Sequence, residues 1–453
     1  MDQPTALDQE LLPSLIKLFS FSPEYHVNNA KNTLKSDPRP SIPEIPSLDR
    51  PYKAIVVVFM EGGADSFNML IPVSGCNRDM YAEYAQVRGN VALPLSGSRA
   101  ILPLEVDPVN NTQPCSTFGT NPKMDFFRDL WVAGDASFFA NIGSLIMPMT
   151  QAQYNAGTMP KPPGLKGHDT QQRQSQSVHS ANEGAKGVLG RIAATVTTQP
   201  QPYRTHVYSM YGTKKLVDGP VQPVVIESSG VQRFSQYGKY KRLIQESTER
   251  ESQSFFADTY ASILEASLQK TEELSDSLAA VQLVGSYSNG IGFENVARVI
   301  SVRSQLESER DVFMVGLRTF DSHQSLVSTD SLLNRVDSDM EAFHADMIAL
   351  GLWQNITIVS ISDFGRTLSS NGLGTDHAWG GNMYIAGGAV RGRRIHGQYP
   401  NDLVSETSPL EVGRGRGVLI PTTPWEGMWY PLPGIPPPVS LQTRSWLLCT
   451  QQP

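Results

Sequence analysis

The chain has 453 residues, 40% of them hydrophobic and 8% aromatic, enough to bury a sizeable core and too apolar for global disorder. Its net charge of −7 and pI near 5.7 exclude a general binder of nucleic acid or anionic membrane, which would carry a basic footprint. Three scattered cysteines, Cys76, Cys115 and Cys449, make neither a disulfide framework nor a cysteine zinc site, and a single 76–115 disulfide stays open.

The elements follow in chain order. No apolar run reaches about 18 residues, so no membrane-spanning helix is expected. Near the start, Leu12, Leu15, Ile16 and Phe19 follow helical spacing, while Pro13 and Lys17 interrupt the apolar stretch. That pattern predicts a short amphipathic helix and not an export signal. Pro38, Pro40, Pro43 and Pro46 then punctuate an extended arm, so residues 1–50 stand apart from a domain over 51–425. A Pro-rich tail, 426–453, closes the chain and is expected to be disordered.

The first core strand is Lys53 to Met60, a near-continuous β-branched run of the kind buried on both faces of a parallel sheet. It ends in Glu61, two glycines, Asp65, Ser66 and Asn68. Glycines there permit a tight turn and close approach to a ligand. Asp65 reads equally as a ligand or as the cap of a following helix.

A short helix near Met80–Val87, a helix over Met124–Gly134 and a strand over Ser137–Ile142 make a second α/β unit. A Pro- and Gly-rich loop then carries His168, Asp169, Thr170 and Gln172. Short β-type runs lie at His206–Met210 and Val221–Glu227, and a helix-rich segment runs from Ser252 to Ala280. Another amphipathic helix, Phe293–Glu307, precedes a strand at Val312–Leu317.

That strand delivers Asp321, Ser322 and His323 at its end; two residues apart, the acid and the imidazole point to one side of an extended backbone, a pairing that suits a divalent metal. A helix over Leu332–Leu350 leads to the strand Ile356–Ile361. Asp363, Arg366, Asp376 and His377 follow on a glycine-rich loop, and a short strand is expected at Met383–Ala386. Carboxylates and imidazoles thus recur at strand ends, where open α/β sheets build their sites. There is no G-x-S-x-G, Walker loop or G-x-G-x-x-G.

The stretches VVVFMEGGADSFN (56–68), GHDTQQRQ (167–174), GVLGR (187–191), TFDSHQ (319–324), SDFGRTLSSNG (362–372), GTDHAWGG (374–381) and GGAVRGRRIHGQYP (387–400) occur together and in this order. In them the chain resembles the domain of unknown function 1501 family, sulfatase-like proteins placed with the alkaline phosphatase superfamily. The resemblance implies an α/β fold, an alkaline-phosphatase-like sandwich with a largely parallel central sheet flanked by helices. It implies divalent metal, Zn, Mg, Mn or Ca, held by Asp65 or Asn68, Asp321, His323, Asp363, Asp376 and His377. Catalytic roles fall on His168, Asp169, Thr170 and Ser66, and substrate contacts on Gln172 and Arg366.

Two positions depart from the pattern. Phe364 follows Asp363 where superfamily phosphatases often have His, as is common in this family, and Gly167 stands where the family commonly has Ser. Relatives often carry a twin-arginine export leader, and none is recognised here. The expectation is a metal-dependent hydrolase of phosphate or sulfate esters, small or polymeric. The alternative is an inactive scaffold that binds a polyanionic glycan or a partner protein.

Overall fold

The β-branched run that opens the core buries completely: Val56, Val57, Val58, Phe59 and Met60 are all 0% exposed. Each such side chain contributes about 1.5–3 kcal/mol of hydrophobic stabilisation. A computed structural model describes residues 34–38 and 45–429, apart from 183, 228–229, 232–235, 253 and 326. The expected N-terminal helix, and the expected tail beyond Trp429, lie outside the described residues.

The chain forms two compact units. In the smaller, spanning Met1–Ile45 and Ser229–Val281, the strand Leu34–Pro38 pairs antiparallel with Arg250–Ser252. Among the described residues its helices are Tyr237–Thr248 and Phe255–Ala279.

The larger unit, Pro46–Ser228 with Gln282–Pro453, holds the main sheet. Eight of its strands are β1 (Lys53–Met60), β2 (Ala136–Gly143), β3 (Thr205–Ser209), β4 (Pro223–Glu227), β5 (Arg310–Leu317), β6 (Ile356–Ser362), β7 (Gly381–Ala386) and β8 (Ile395–Gly397). Across the sheet they run β8-β2-β7-β6-β1-β5-β3-β4. Strand β1 pairs in parallel with both β5 and β6. Strand β3 continues the parallel run between β5 and β4. Only β7 runs against its neighbours β6 and β2 in this path.

The fold is therefore mixed α/β with a largely parallel sheet and helices packed on it, as the sequence predicts. Two local differences matter. His168 opens a helix, His168–Ser177, where a loop is expected. The segment expected to be rich in loops carries a small antiparallel sheet of Ile71–Ser74, Leu102–Glu105 and Thr117–Thr120. Cys76 and Cys115 are joined by a disulfide beside that sheet.

Buried carboxylates fasten loops to the long helix Val327–Ala349. Asp337 accepts the backbone N–H of Phe126 and Phe127, each at 2.9 Å, in the first turn of the helix Asp125–Ala133. Asp346 accepts from the N–H of Val284 at 2.7 Å and from the Tyr287 hydroxyl at 2.6 Å. Helix N-termini leave N–H groups without intrahelical partners, and an acid such as Asp337 satisfies them.

Candidate metal centre

Three neighbouring parallel strands, β5, β1 and β6, end on the same edge of the sheet, and their following loops interlock. Gly62 has φ +120° and Gly63 φ +83°, a backbone that side-chain-bearing residues rarely adopt. A Cβ on Gly62 would lie 2.6 Å from the Asp321 backbone nitrogen, and one on Gly63 would lie 2.5 Å from the Phe364 ring. The two glycines therefore let the β1 loop press against the loops that carry Asp321 and Asp363. The Ser362 hydroxyl ties the strand ends together, accepting from the Ala64 N–H at 2.9 Å and donating to the Met60 carbonyl at 2.5 Å.

On this edge, three imidazoles share one arrangement. His168 Nδ1 lies 2.6 Å from Asp363 Oδ2. His323 Nδ1 lies 2.9 Å from Asp376 Oδ1, and His377 Nδ1 lies 2.9 Å from the Lys166 carbonyl. A carbonyl or carboxylate there fixes a proton on Nδ1, which leaves Nε2 as a lone-pair donor. All three Nε2 atoms turn toward Asp321. Those of His323 and His377 are each 3.0 Å from its Oδ1, and that of His168 is 3.6 Å from its Oδ2.

The two acids behind the imidazoles are held as well. Asp363 is fully buried, with Oδ1 accepting from the Gly62 N–H at 3.1 Å and Oδ2 accepting from the Gln172 amide at 2.9 Å. Asp376 also accepts from Asn371 and pairs with Arg416. Arg366 is fully buried and donates to Asp321 Oδ1 and to the Thr375 carbonyl.

Protonation follows these contacts. The His168 imidazole is raised above its ordinary value, chiefly by its hydrogen bond to Asp363, which outweighs burial. For Asp321, burial is the largest single influence and pushes the carboxyl up. The Arg366 guanidinium, by its hydrogen bond and its charge, works against burial, and the group is held below the usual carboxylate range. At Asp376 burial again pushes up, and His323, Asn371 and Arg416 together bring the carboxyl down.

The donor set fits a divalent cation. His168, Asp321 and His377 each offer one ligand atom, all within 4.8 Å of one another, and His323 Nε2 lies 3.0 Å from His377 Nε2. Around a tetrahedral ion with bonds of about 2.1 Å, neighbouring ligand atoms sit about 3.4 Å apart. Nitrogen-rich sets with one carboxylate suit zinc better than calcium or magnesium. Three carboxylates against the guanidiniums of Arg366 and Arg416 leave one net negative charge with the imidazoles neutral, which favours a cation. The centre also opens to solvent, since the side chains of His323 and Asp321 are 41% and 39% exposed.

Asp65, Asn68, Ser66, Thr170 and Asp169 make no contact with the three imidazoles, and Gln172 and Arg366 support the acids. Asp65 is fully buried in an ion pair with Arg88, itself fully buried. Asn68 Oδ1 accepts from the Tyr84 hydroxyl at 2.7 Å, and its amide donates to the Val91 carbonyl. The Ser66 hydroxyl is buried and accepts from the Asn382 N–H at 2.7 Å. Thr170 packs against Gly164, and Asp169 is exposed in the first turn of its helix. Gln172 and Arg366 face inward, onto Asp363 and Asp321.

The Lys166 carbonyl and Arg416 contribute to the centre, and Arg88 pairs with Asp65, without any of the three being singled out in the sequence. The available signal for Arg416 was its place in a Gly-Arg-Gly-Arg-Gly run, 413–417.

A family model described as "Protein of unknown function (DUF1501)" matches residues 52–412. The chain belongs to this family. None of the curated proteins compared with it matches significantly by sequence. Among solved structures, similarity is found to a protein in the alkaline phosphatase superfamily from Vibrio parahaemolyticus, with 8% identity, TM-score 0.33, and coverage of 78% of this chain and 65% of that one. The PsFucS1 sulfatase from Pseudoalteromonas sp. gives 11% identity and TM-score 0.33 over 76% of this chain and 64% of that one. The lipoteichoic acid synthase LtaP from Listeria monocytogenes gives 8% and 0.29 over 86% and 78%. The chain thus spans just under two thirds of the first two, and at such scores the likeness says nothing about activity. Among the described residues, no helix is long and apolar enough to cross a membrane.

Proposed function

We propose that this DUF1501 member is a metal-dependent hydrolase of phosphate or sulfate esters, with zinc as the best-fitting ion. The observation that carries this reading is the convergence of three Nε2 lone pairs on one carboxylate, with a hydrogen-bond acceptor behind each Nδ1. Imidazoles in metal sites are oriented in this way by a partner on the second nitrogen. His168, His323, His377 and Asp321 would hold the ion, with Asp363, Asp376 and the Lys166 carbonyl orienting the rings. A bound divalent metal supplies Lewis acidity toward an ester oxygen and an activated water. Arg366 stays on Asp321 and keeps that carboxylate ionised. The Cys76–Cys115 disulfide supports an oxidising compartment as the place of action.

One observation favours a second reading, that of a binding scaffold without turnover. Ser66 is committed to the Asn382 N–H in the turn, and Gly167 offers no hydroxyl at the start of its helix. On the hydrolase reading, the nucleophile is therefore water.

Purified protein loaded with Zn, Mn, Mg or Ca and assayed on aryl phosphate, phosphodiester and aryl sulfate esters separates the two. Turnover that disappears in His377→Ala is expected. Stoichiometric metal with no turnover of any ester, together with retained binding of a sulfated glycan, would overturn the hydrolase reading in favour of the scaffold.

A further inference from the structure

A cavity of ≈ 250 Å³ adjoins the centre, lined by Thr367, Ser369, Ser370, Asn371, Asp376 and Arg416, with Gly415 at its rim. Asp376 is the shared wall. Its Oδ1 holds His323 Nδ1, while its Oδ2 pairs with Arg416. The cavity therefore lies one carboxylate and one imidazole ring away from the converging Nε2 atoms.

The lining mixes hydroxyls, an amide, a carboxylate and a guanidinium, and it has no aromatic or aliphatic wall. Thr367 and Asn371 are well bonded within the protein, while the serine hydroxyls keep capacity for a ligand. The Ser369 hydroxyl meets that of Ser405 at 3.4 Å; the Ser370 hydroxyl accepts from the Gly372 N–H at 3.0 Å, but as a donor it reaches the Gly374 carbonyl only at 3.3 Å and Asn90 Oδ1 at 3.4 Å. Hydrogen bonds this long are weak and readily exchanged for better ones. A ligand rich in hydroxyls, each both donor and acceptor, matches such a wall. A second inorganic anion does not, because Asp376 Oδ2 would face it. The volume lies below the roughly 300–1,000 Å³ of sites for drug-sized ligands, which suits a single sugar-sized ring.

We propose that this cavity is a subsite for a sugar-like polyol, coupled to the metal centre through Arg416, Asp376 and His323. The proposal rests on the metal reading above. Arg416 draws on the carboxylate that orients His323, which weakens that carboxylate as an acceptor for the ring N–H and so weakens His323 as a ligand. A polyol hydroxyl that takes over Arg416 releases Asp376 to the imidazole, and the metal is held more tightly. By linkage, the metal must strengthen polyol binding by the same factor. Arg416 is thus a positioning residue. Its side chain is 64% exposed, so replacing it leaves no buried gap.

The test measures zinc affinity by competition with a chromophoric chelator, using the full chain as wild type, Arg416→Met and Arg414→Met. Each is titrated with and without galactose, glucose and inositol. Arg414→Met removes the same charge from the same loop. We expect Arg416→Met to bind zinc about 3–10-fold more tightly, a fraction of the 10–100-fold that hydrogen-bond partners of metal ligands command, and Arg414→Met to change it less than about twofold. At least one polyol tightens zinc in the wild type and has no effect in Arg416→Met, and calorimetry shows that polyol binding better to zinc-loaded than to metal-free wild type. If the wild type binds no zinc at all, the metal reading fails and this coupling fails with it. If zinc binds but its affinity is indifferent to Arg416 and to every polyol, the coupling alone is overturned.

Discussion

The Nε2 atoms of His323 and His377 lie 3.0 Å apart, although each ring has its other nitrogen occupied by an acceptor, Asp376 for one and the Lys166 carbonyl for the other. Two neutral imidazoles so oriented present lone pairs to each other and to Asp321 Oδ1, with which both are in contact at 3.0 Å. Lone pairs at this distance repel unless a proton or a cation lies among them. Removing solvent from one side of the cluster makes that cost larger.

The Asp363 carboxylate takes no part in the convergence and acts through His168. In Asp363→Asn the charge is lost while the shape stays. Zinc affinity is expected to fall by about 10–100-fold, the usual range for such orienting partners, with the far-UV circular dichroism spectrum unchanged. Chelator competition gives the affinity. An affinity equal to wild type would show that Asp363 does not orient the ligand.

Asp65 behaves as a structural acid in this arrangement. Removing it in Asp65→Ala strands Arg88, which is fully buried, and breaking such a pair costs about 3–5 kcal/mol. Urea denaturation should show that loss. Zinc affinity, measured at low temperature where the variant stays folded, should remain within about twofold of wild type, because Asp65 is turned to Arg88. A tenfold loss of zinc would return Asp65 to the metal centre.

Gly63 supports the centre from below. A methyl group there would meet the Phe364 ring at 2.5 Å on a backbone with φ +83°. Phe364 lies against His168 and His377, with ring centroids 5.0 and 4.7 Å apart. Gly63→Ala should therefore destabilise the fold by about 1–3 kcal/mol and also weaken zinc binding. Thermal unfolding and chelator competition on the same variant check both effects.

Glu309 sets part of the acid stability. It is 1% exposed and accepts from the backbone of Leu48 and Arg50, from the Arg50 guanidinium and from the Arg204 N–H. Burial alone would raise its pKa. The Arg50 side chain and the three backbone N–H groups outweigh burial and bring the carboxyl down to about 2. A folded pKa below the unfolded one means the contribution is complete above the unfolded value and fades as pH falls through the folded one. Over a window from about pH 4.5 down to 2, roughly 3 kcal/mol should be lost. Comparing urea midpoints of wild type and Glu309→Gln across that window measures it. The gap between the two should narrow as pH drops, and a gap that stays constant with pH contradicts the assignment.

Much of the sheet is legible in the sequence, because β1, β5 and β6 are buried on both faces and need near-continuous apolar runs. The reversed direction of β7 is not, since a short run such as Gly381–Ala386 carries no sign of direction. The helix at His168 is hidden for another reason. Its residues, HDTQQRQSQS, have no apolar periodicity, and its buried positions are filled by Gln171, Gln174, Gln176 and two serines, Ser175 and Ser177.

At the candidate site, the recurrence of acids and imidazoles at strand ends points to the edge of the sheet where the three imidazoles gather. Spacing does not sort ligand from support: Asp65, Asp321 and Asp363 all follow a strand, yet only Asp321 meets the Nε2 atoms. The partners that decide this, Arg88 and the Lys166 carbonyl, are remote in sequence from the acids and rings they hold.

The most direct test is metal content. Wild type and a His323→Ala/His377→Ala double variant are loaded with zinc, passed through a desalting column and analysed by inductively coupled plasma mass spectrometry. A metal centre at these residues predicts close to one zinc per wild-type chain and none in the folded double variant. Wild type that emerges without zinc, or a double variant that keeps as much as wild type, would contradict it.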